Sequence, residues 1–196
     1  MKELIDQWWI LGLRAAAALT LAVCVANGEG LEKNLLMQVT ALPFITLTLA
    51  CYGIVDSVLL MALSNRYSNK MLEKQVVMAQ ALVGAAVGVA LLTILFEKAT
   101  LNWFVALATA QALVTGTFEM ISATHFKRHL PDEWSCFAAG AGSLAFAIGL
   151  PFLYEGEVRR TFYWLITYAL TFSVTMMWFS LRLLTLKKKL EPIASS

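Results

Sequence analysis

Six stretches of the 196-residue chain are apolar for long enough to cross a bilayer, and short polar segments separate them. They are Trp8–Asn27, Met37–Leu63, Gln75–Phe96, Leu101–Thr124, Trp134–Tyr154 and Thr161–Leu186. A helix rises about 1.5 Å per residue, so about 20 apolar residues cover the ~30 Å of a hydrocarbon core. Lipid offers no hydrogen bond to an open backbone, so each run is predicted to be a helix. Trp8, Trp9, Trp103, Trp134, Tyr154, Tyr163 and Trp164 sit near run ends, where amphipathic rings favour the membrane interface.

The connections are short. Asn27-Gly28-Glu29-Gly30 and Glu155-Gly156-Glu157 read as turns, and Arg66–Lys70 as a polar loop. Glu97–Thr100 is barely a turn, so the third and fourth helices must form an antiparallel hairpin. Phe126–Glu133 carries Leu130-Pro131-Asp132, with Asp132 placed to cap the fifth helix. Pro43 and Pro151 lie near helix ends. The chain also repeats weakly. Gly53-Ile54-Val55-Asp56 aligns with Gly116-Thr117-Phe118-Glu119, and Ser173-Val174-Thr175-Met176 is a degenerate third copy. The expected fold is all-α: a polytopic membrane protein of six transmembrane helices arranged as three repeated helical hairpins. The hairpins cover about 8–63, 75–124 and 134–186 of a single membrane domain, and 187–196 form a basic tail.

Composition sharpens this picture. Hydrophobic residues make up 59% and charged residues 14% of the chain, against about 25% charge in a soluble domain. The net charge of +2 argues against nucleic acid as a partner. Lys2, Arg66, Lys70, Lys74, Lys127, Arg128, Arg182 and Lys187-Lys188-Lys189 fall on one side, against Lys33, Lys98, Arg159 and Arg160 on the other. The positive-inside bias therefore predicts both termini in the cytoplasm. Lys187–Lys189 read most simply as a stop at the headgroups, with a dedicated anionic-lipid or partner site as the lesser reading. Met1–Gln7 carries Glu3 and Asp6, and Arg14 interrupts the first run, so that run reads as a retained helix rather than a signal peptide.

Three ionisable residues lie inside the apolar runs: Arg14, Asp56 and Glu119. Counted from the run ends they sit about 9, 10 and 8 Å below the same interface, and Gln80 reaches a similar level. A charge in hydrocarbon costs roughly 2.5–3.5 kcal/mol at the centre and less near the edge. A common layer lets Arg14 hold a carboxylate through two hydrogen bonds. One arginine faces two acids, so one carboxylate is expected to lack a full partner, and burial favours its protonated form. The layer is thus a fold-locking ion pair, a proton-responsive or ion-conducting site, or a lipid-headgroup contact.

Other features are plainer. Gly84-x-x-x-Gly88, Gly53, Gly116 and Gly140 allow close helix approach. Gln111 is placed to bond another helix. Cys24, Cys51 and Cys136 are odd in number, without C-x-x-C spacing, and read as small apolar packing residues. His125 and His129 are spaced i, i+4 with Asp132 and Glu133 nearby, which is a weak metal pattern, and no metal or cofactor is expected. No P-loop, G-x-S-x-G, H-E-x-x-H or dinucleotide signature occurs, so no enzyme activity is expected.

The chain resembles the HdeD-like family of small six-helix bacterial membrane proteins. The matching residues are the Trp8…Arg14 opening, Tyr52-Gly53-x-x-Asp56, and Gly116-x-x-Glu119-x-Ile121 with Ala123 and Lys127-Arg128. Trp134…Gly140…Gly149-Leu150-Pro151 and Arg182-Leu183 match as well. Ala15 and Ser57 stand where the family tends to glycine, and the proline that often ends the first helix is missing. The resemblance implies a bacterial inner-membrane protein associated with acid resistance or general stress. Three readings follow: a non-enzymatic protein supporting the membrane or a partner under stress, a small proton- or ion-coupled transporter or channel using the charged layer, or an accessory subunit of a larger membrane complex. The expected partners are the lipid bilayer and either a second copy of the chain or another membrane protein.

Overall fold

The computed structural model describes residues 6–31, 35–65, 71–98, 100–126, 134–153 and 158–190. Among them are six α-helices and no strand: α1 (Trp8–Leu31), α2 (Leu35–Ser64), α3 (Met71–Lys98), α4 (Leu101–Phe126), α5 (Ser135–Leu153) and α6 (Val158–Leu190). All six are long and apolar enough to cross a membrane, which marks a multi-pass membrane protein. Half or less of each span is buried inside the protein. The outward faces carry Val58, Leu82, Val89, Ile148 and Val174, which water would penalise and lipid accepts. Exposed Trp9, Trp103, Trp134, Tyr163 and Trp164 lie toward helix ends.

Among the described residues, every helix but α5 outruns its apolar stretch. α1 continues through Asn27-Gly28-Glu29-Gly30 instead of turning there. Glycine inside a helix costs about 1 kcal/mol, less than exposing unpaired backbone beside a membrane. Because α2 starts at Leu35, Pro43 falls in its third turn rather than near its end. Lys187–Lys189 belong to the last turn of α6 rather than to a free tail, where cations suit the negative end of the helix dipole. The expected Arg66–Lys70 and Glu155–Glu157 turns, the Asp132 cap and His129 lie outside the described residues, as does the His125 side chain.

The helices form a ring in chain order, each packed on its neighbours and α6 closing on α1. The most extensive contacts are α1 with α6, α2 with α3, and α4 with α5. Sequential hairpin partners pack less extensively. The three aligned segments bury the same positions: Tyr52, Thr115 and Phe172; then Asp56, Glu119 and Met176; then Leu60, Ala123 and Ser180. The even-numbered helices thus point corresponding stripes inward. Within α2, Ser57 donates to the Gly53 carbonyl and Thr46 to that of Leu42, so both hydroxyls are satisfied inside their own helix.

Small residues set the distance at the three main seams. A Cβ on Gly116 would lie 2.9 Å from the Gly140 carbonyl oxygen and from the Leu144 nitrogen, both backbone atoms of α5. A Cβ on Gly140 would meet the Met120 nitrogen at 2.9 Å. At the α2–α3 seam a Cβ on Gly88 would lie 3.2 Å from the Ala50 carbonyl, and one on Gly84 would lie 2.8 Å from Ser57 Oγ. Gly53 faces Gly88 across this seam, where its Cβ would lie 3.7 Å from the Gly88 Cα. At the α1–α6 seam serine hydroxyls join glycine: a Cβ on Gly12 would lie 3.1 Å from Ser180 Oγ, Ser173 donates to the Ala15 carbonyl at 2.8 Å and Ser180 to that of Trp8 at 2.7 Å. The Gly84-x-x-x-Gly88 pair therefore packs within the chain.

Gly140→Ala is expected to destabilise the protein by about 1–3 kcal/mol because two backbones must part. Gly142→Ala, whose new Cβ meets only Thr171 Cγ2 at 3.8 Å, should be neutral or stabilising by up to about 1 kcal/mol. Reversible unfolding in mixed micelles measures both, and equal losses would contradict the seam.

Candidate functional site

Arg14 lies on the second turn of α1, on the stripe with Ile10, Leu11 and Ala18 that faces into the ring. A charge on that stripe cannot reach water from the protein interior, so it must be neutralised where it lies. α2 and α4 run opposite to α1 and bring Asp56 and Glu119 to its depth near their own ends. Arg14 is 1% exposed, Asp56 3% and Glu119 4%, so the three are sealed from both water and lipid.

One guanidinium serves both acids. Arg14 Nε donates to Asp56 Oδ1 at 2.6 Å and Nη2 donates to Oδ2 at 3.2 Å, a side-on bidentate grip. Nη1 donates to Glu119 Oε1 at 2.7 Å. The remaining carboxylate oxygen, Glu119 Oε2, accepts from the Cys136 thiol at 3.3 Å. All four carboxylate oxygens therefore have a donor, and the expectation that one acid would be left without a partner gives way to a shared arginine. The charge imbalance persists: with all three groups ionised the cluster carries one net negative charge.

Aromatic rings complete the enclosure. The Arg14 guanidinium sits 5.6 Å from the Phe172 ring centroid, so α6 contributes a cation–π face. Tyr168 leans against Phe172 with centroids 6.2 Å apart and stacks on Phe146 at 4.5 Å. Its hydroxyl is 3.4 Å from that of Ser143. The buried Tyr52 and Tyr168 lie within electrostatic reach of Arg14, Asp56 and Glu119. Beyond Tyr168 and Phe172 a crevice of about 290 Å³ opens between α5 and α6, lined mainly by Gly142, Phe146, Gly149 and Trp164.

Two buried glutamines make no hydrogen bond to this cluster. Gln80 is buried in α3, and its Nε2 has no hydrogen-bond partner among the described residues. Gln111 reaches from α4 into the α2–α3 seam, where its Nε2 lies 3.4 Å from the place a Gly53 Cβ would occupy. Its Oε1 has no partner either. Among the described residues no group of three metal-ligating side chains occurs.

Cys136 packs in the core as expected, and its thiol is in addition a donor to the cluster. Its place in the first turn of α5, at the end of the ring where Glu119 lies, was the available signal. Tyr52 and Phe172 were also legible in part, because they occupy the position before Gly53 and Ser173 in the aligned segments. Tyr168 and Ser143 carried no such mark. The chain matches no protein-family model, no curated protein and no solved structure.

Arg14→Met leaves two facing carboxylates without their cation and is expected to cost about 3–5 kcal/mol. Replacing the whole cluster in Arg14→Met/Asp56→Leu/Glu119→Leu should recover most of that loss, because the uncompensated charge has gone. Unfolding in bicelles measures both variants, and an Arg14→Met variant as stable as the parent would contradict the clamp. Cys136→Ala, which removes one thiol donor, should cost about 0.5–1.5 kcal/mol.

Proposed function

We propose that the chain is a non-enzymatic protein of the bacterial inner membrane, with both termini in the cytoplasm, that supports the bilayer or a partner protein under acid or general stress. The observation that carries this reading is the enclosed clamp: one guanidinium joins Asp56 and Glu119 from two helices at 4% exposure or less. Such a cluster holds α1, α2 and α4 in one arrangement, because none of its members can be withdrawn without leaving a bare charge behind. The HdeD-like pattern of Trp8, Arg14, Asp56, Gly116 and Glu119 supports the same reading. The excess of Lys and Arg at the ends that carry the termini supports the orientation.

A second reading is a small proton- or ion-coupled transporter or channel working through the same layer. It is favoured by the excess acid in the cluster and by the unpartnered Gln80 Nε2 and Gln111 Oε1 in the same interior, since such atoms bind water or ions when they are reachable.

In bacteria lacking the protein, the wild-type chain is expected to restore survival of an acid challenge and Arg14→Met is not, with both present in the membrane fraction at equal amounts. Survival independent of the protein under acid, oxidative and heat stress alike would remove the stress reading. Proteoliposomes are expected to show no protein-dependent proton or cation flux. A flux abolished by Asp56→Asn or Glu119→Gln would replace the first reading with the second. A fluorescent reporter fused after Ser196 is expected to fold in the cytoplasm.

A further inference from the structure

The cytoplasm-proximal end of α6, in the orientation proposed above, carries a second organised surface that the clamp does not use. Trp178, Arg182, Thr185 and Lys189 are spaced i, i+4, i+7 and i+11, which places them on one helical stripe. With Leu181 and Leu186 they line a hollow of about 430 Å³. Trp178 and Leu181 are more than half exposed, and Arg182 and Lys189 are exposed too. The neighbouring Lys187 is turned elsewhere and pairs with Asp6 at 3.0 Å.

The polarity of the hollow runs along the membrane normal. Its deeper end, at Trp178 and Leu181, is apolar and belongs to the hydrocarbon. Seven residues separate Arg182 from Lys189, about 10 Å along the axis, which spans the step from the hydrocarbon edge to the headgroups. Among the described residues that line the hollow there is no carboxylate. A basic end above an aromatic and aliphatic end is the complement of a diacyl phospholipid with its phosphate at the rim and its tails below. Arginine meets phosphate through a planar fork of donors, and long cationic side chains lay their stems on apolar surface while the charged head reaches the interface. A zwitterionic headgroup brings its own ammonium close to Arg182 and Lys189, so a net-negative headgroup fits this rim better.

We propose that the Trp178–Lys189 face of α6 is a binding site for one anionic phospholipid of the leaflet on the side of the chain termini. Its phosphate is held between Arg182 and Lys189, and its tails lie against Trp178 and Leu181. The site is independent of the Arg14 cluster, and nothing in the proposed stress role is needed for it.

The test is native mass spectrometry of the full chain released from nanodiscs of equal phosphatidylglycerol and phosphatidylcholine. Wild type should retain one phosphatidylglycerol in preference to phosphatidylcholine by about fivefold or more, the scale set by one basic residue near an anionic surface. Arg182→Gln/Lys189→Gln should bring that ratio to about one, Arg182→Lys should keep part of it, and Lys188→Gln should leave it at the wild-type value. A circular-dichroism melt of the double variant confirms that it is folded. An unchanged ratio in the folded double variant, or no preference in wild type, overturns the proposal. So does a dimer that forms in place of the lipid adduct and is lost in Trp178→Ala, because a second copy would then be the occupant.

Discussion

A buried arginine shared between two acids governs this molecule. Lipid cannot solvate a guanidinium, so the side chain of Arg14 has to find its counter-charges inside the ring. Those counter-charges come from α2 and α4, and a ring face from α6 covers the same group. The arginine therefore fixes the depth and rotation of α1 against all three even-numbered helices at once. An apolar contact could slide or turn at little cost, whereas a bidentate carboxylate grip cannot. Removing one member is costly because the others stay behind as bare charges, which is why the cluster specifies one arrangement whatever its net contribution to stability.

The glycine and serine seams make that grip reachable. At the α4–α5 contact the backbones approach so closely that a single methyl on Gly116 or Gly140 would meet main-chain atoms. The same contact brings Cys136 of α5 within 3.3 Å of Glu119 on α4, so the seam and the second carboxylate are one structural feature. The α1–α6 contact relies on Ser173 and Ser180, whose hydroxyls bond across to α1 carbonyls. In the three aligned segments the acidic position reads Asp56, Glu119 and then Met176, all buried. Two acids share one arginine, and the third aligned position offers no charge, so the cluster has an unequal charge count.

The division between inside and outside is sharp. The charged side chains within the spans gather in the ring, and away from the helix ends the lipid-facing surface is largely apolar, with hydroxyls such as Thr20, Thr48 and Thr171 donating to carbonyls of their own helix. α6 is the exception, since its outward stripe passes from tryptophan through arginine to lysine as it leaves the hydrocarbon. The clamp and this stripe lie on different faces of the protein, so one concerns how the helices hold together and the other what the surrounding lipid meets.

Chain chemistry alone settled a good deal. Runs of apolar residues dictate six spanning helices, because a backbone in oil must bond to itself, and the depths of Arg14, Asp56 and Glu119 follow from counting residues along those helices. Counting could not give azimuth. A residue's height in the membrane is local, but the direction it faces depends on which helices become neighbours, and only the closed ring determines that. For this reason Gln80, at about the right height, makes no hydrogen bond to the cluster, while Cys136, read as filler, donates to it. The turn expected at Asn27–Gly30 failed for the opposite reason: local preference for a turn was weaker than the demand of a membrane-edge backbone for continued hydrogen bonding. The sharing of one guanidinium by two carboxylates is likewise a tertiary fact, because it needs three helices to converge within about 3 Å of one side chain.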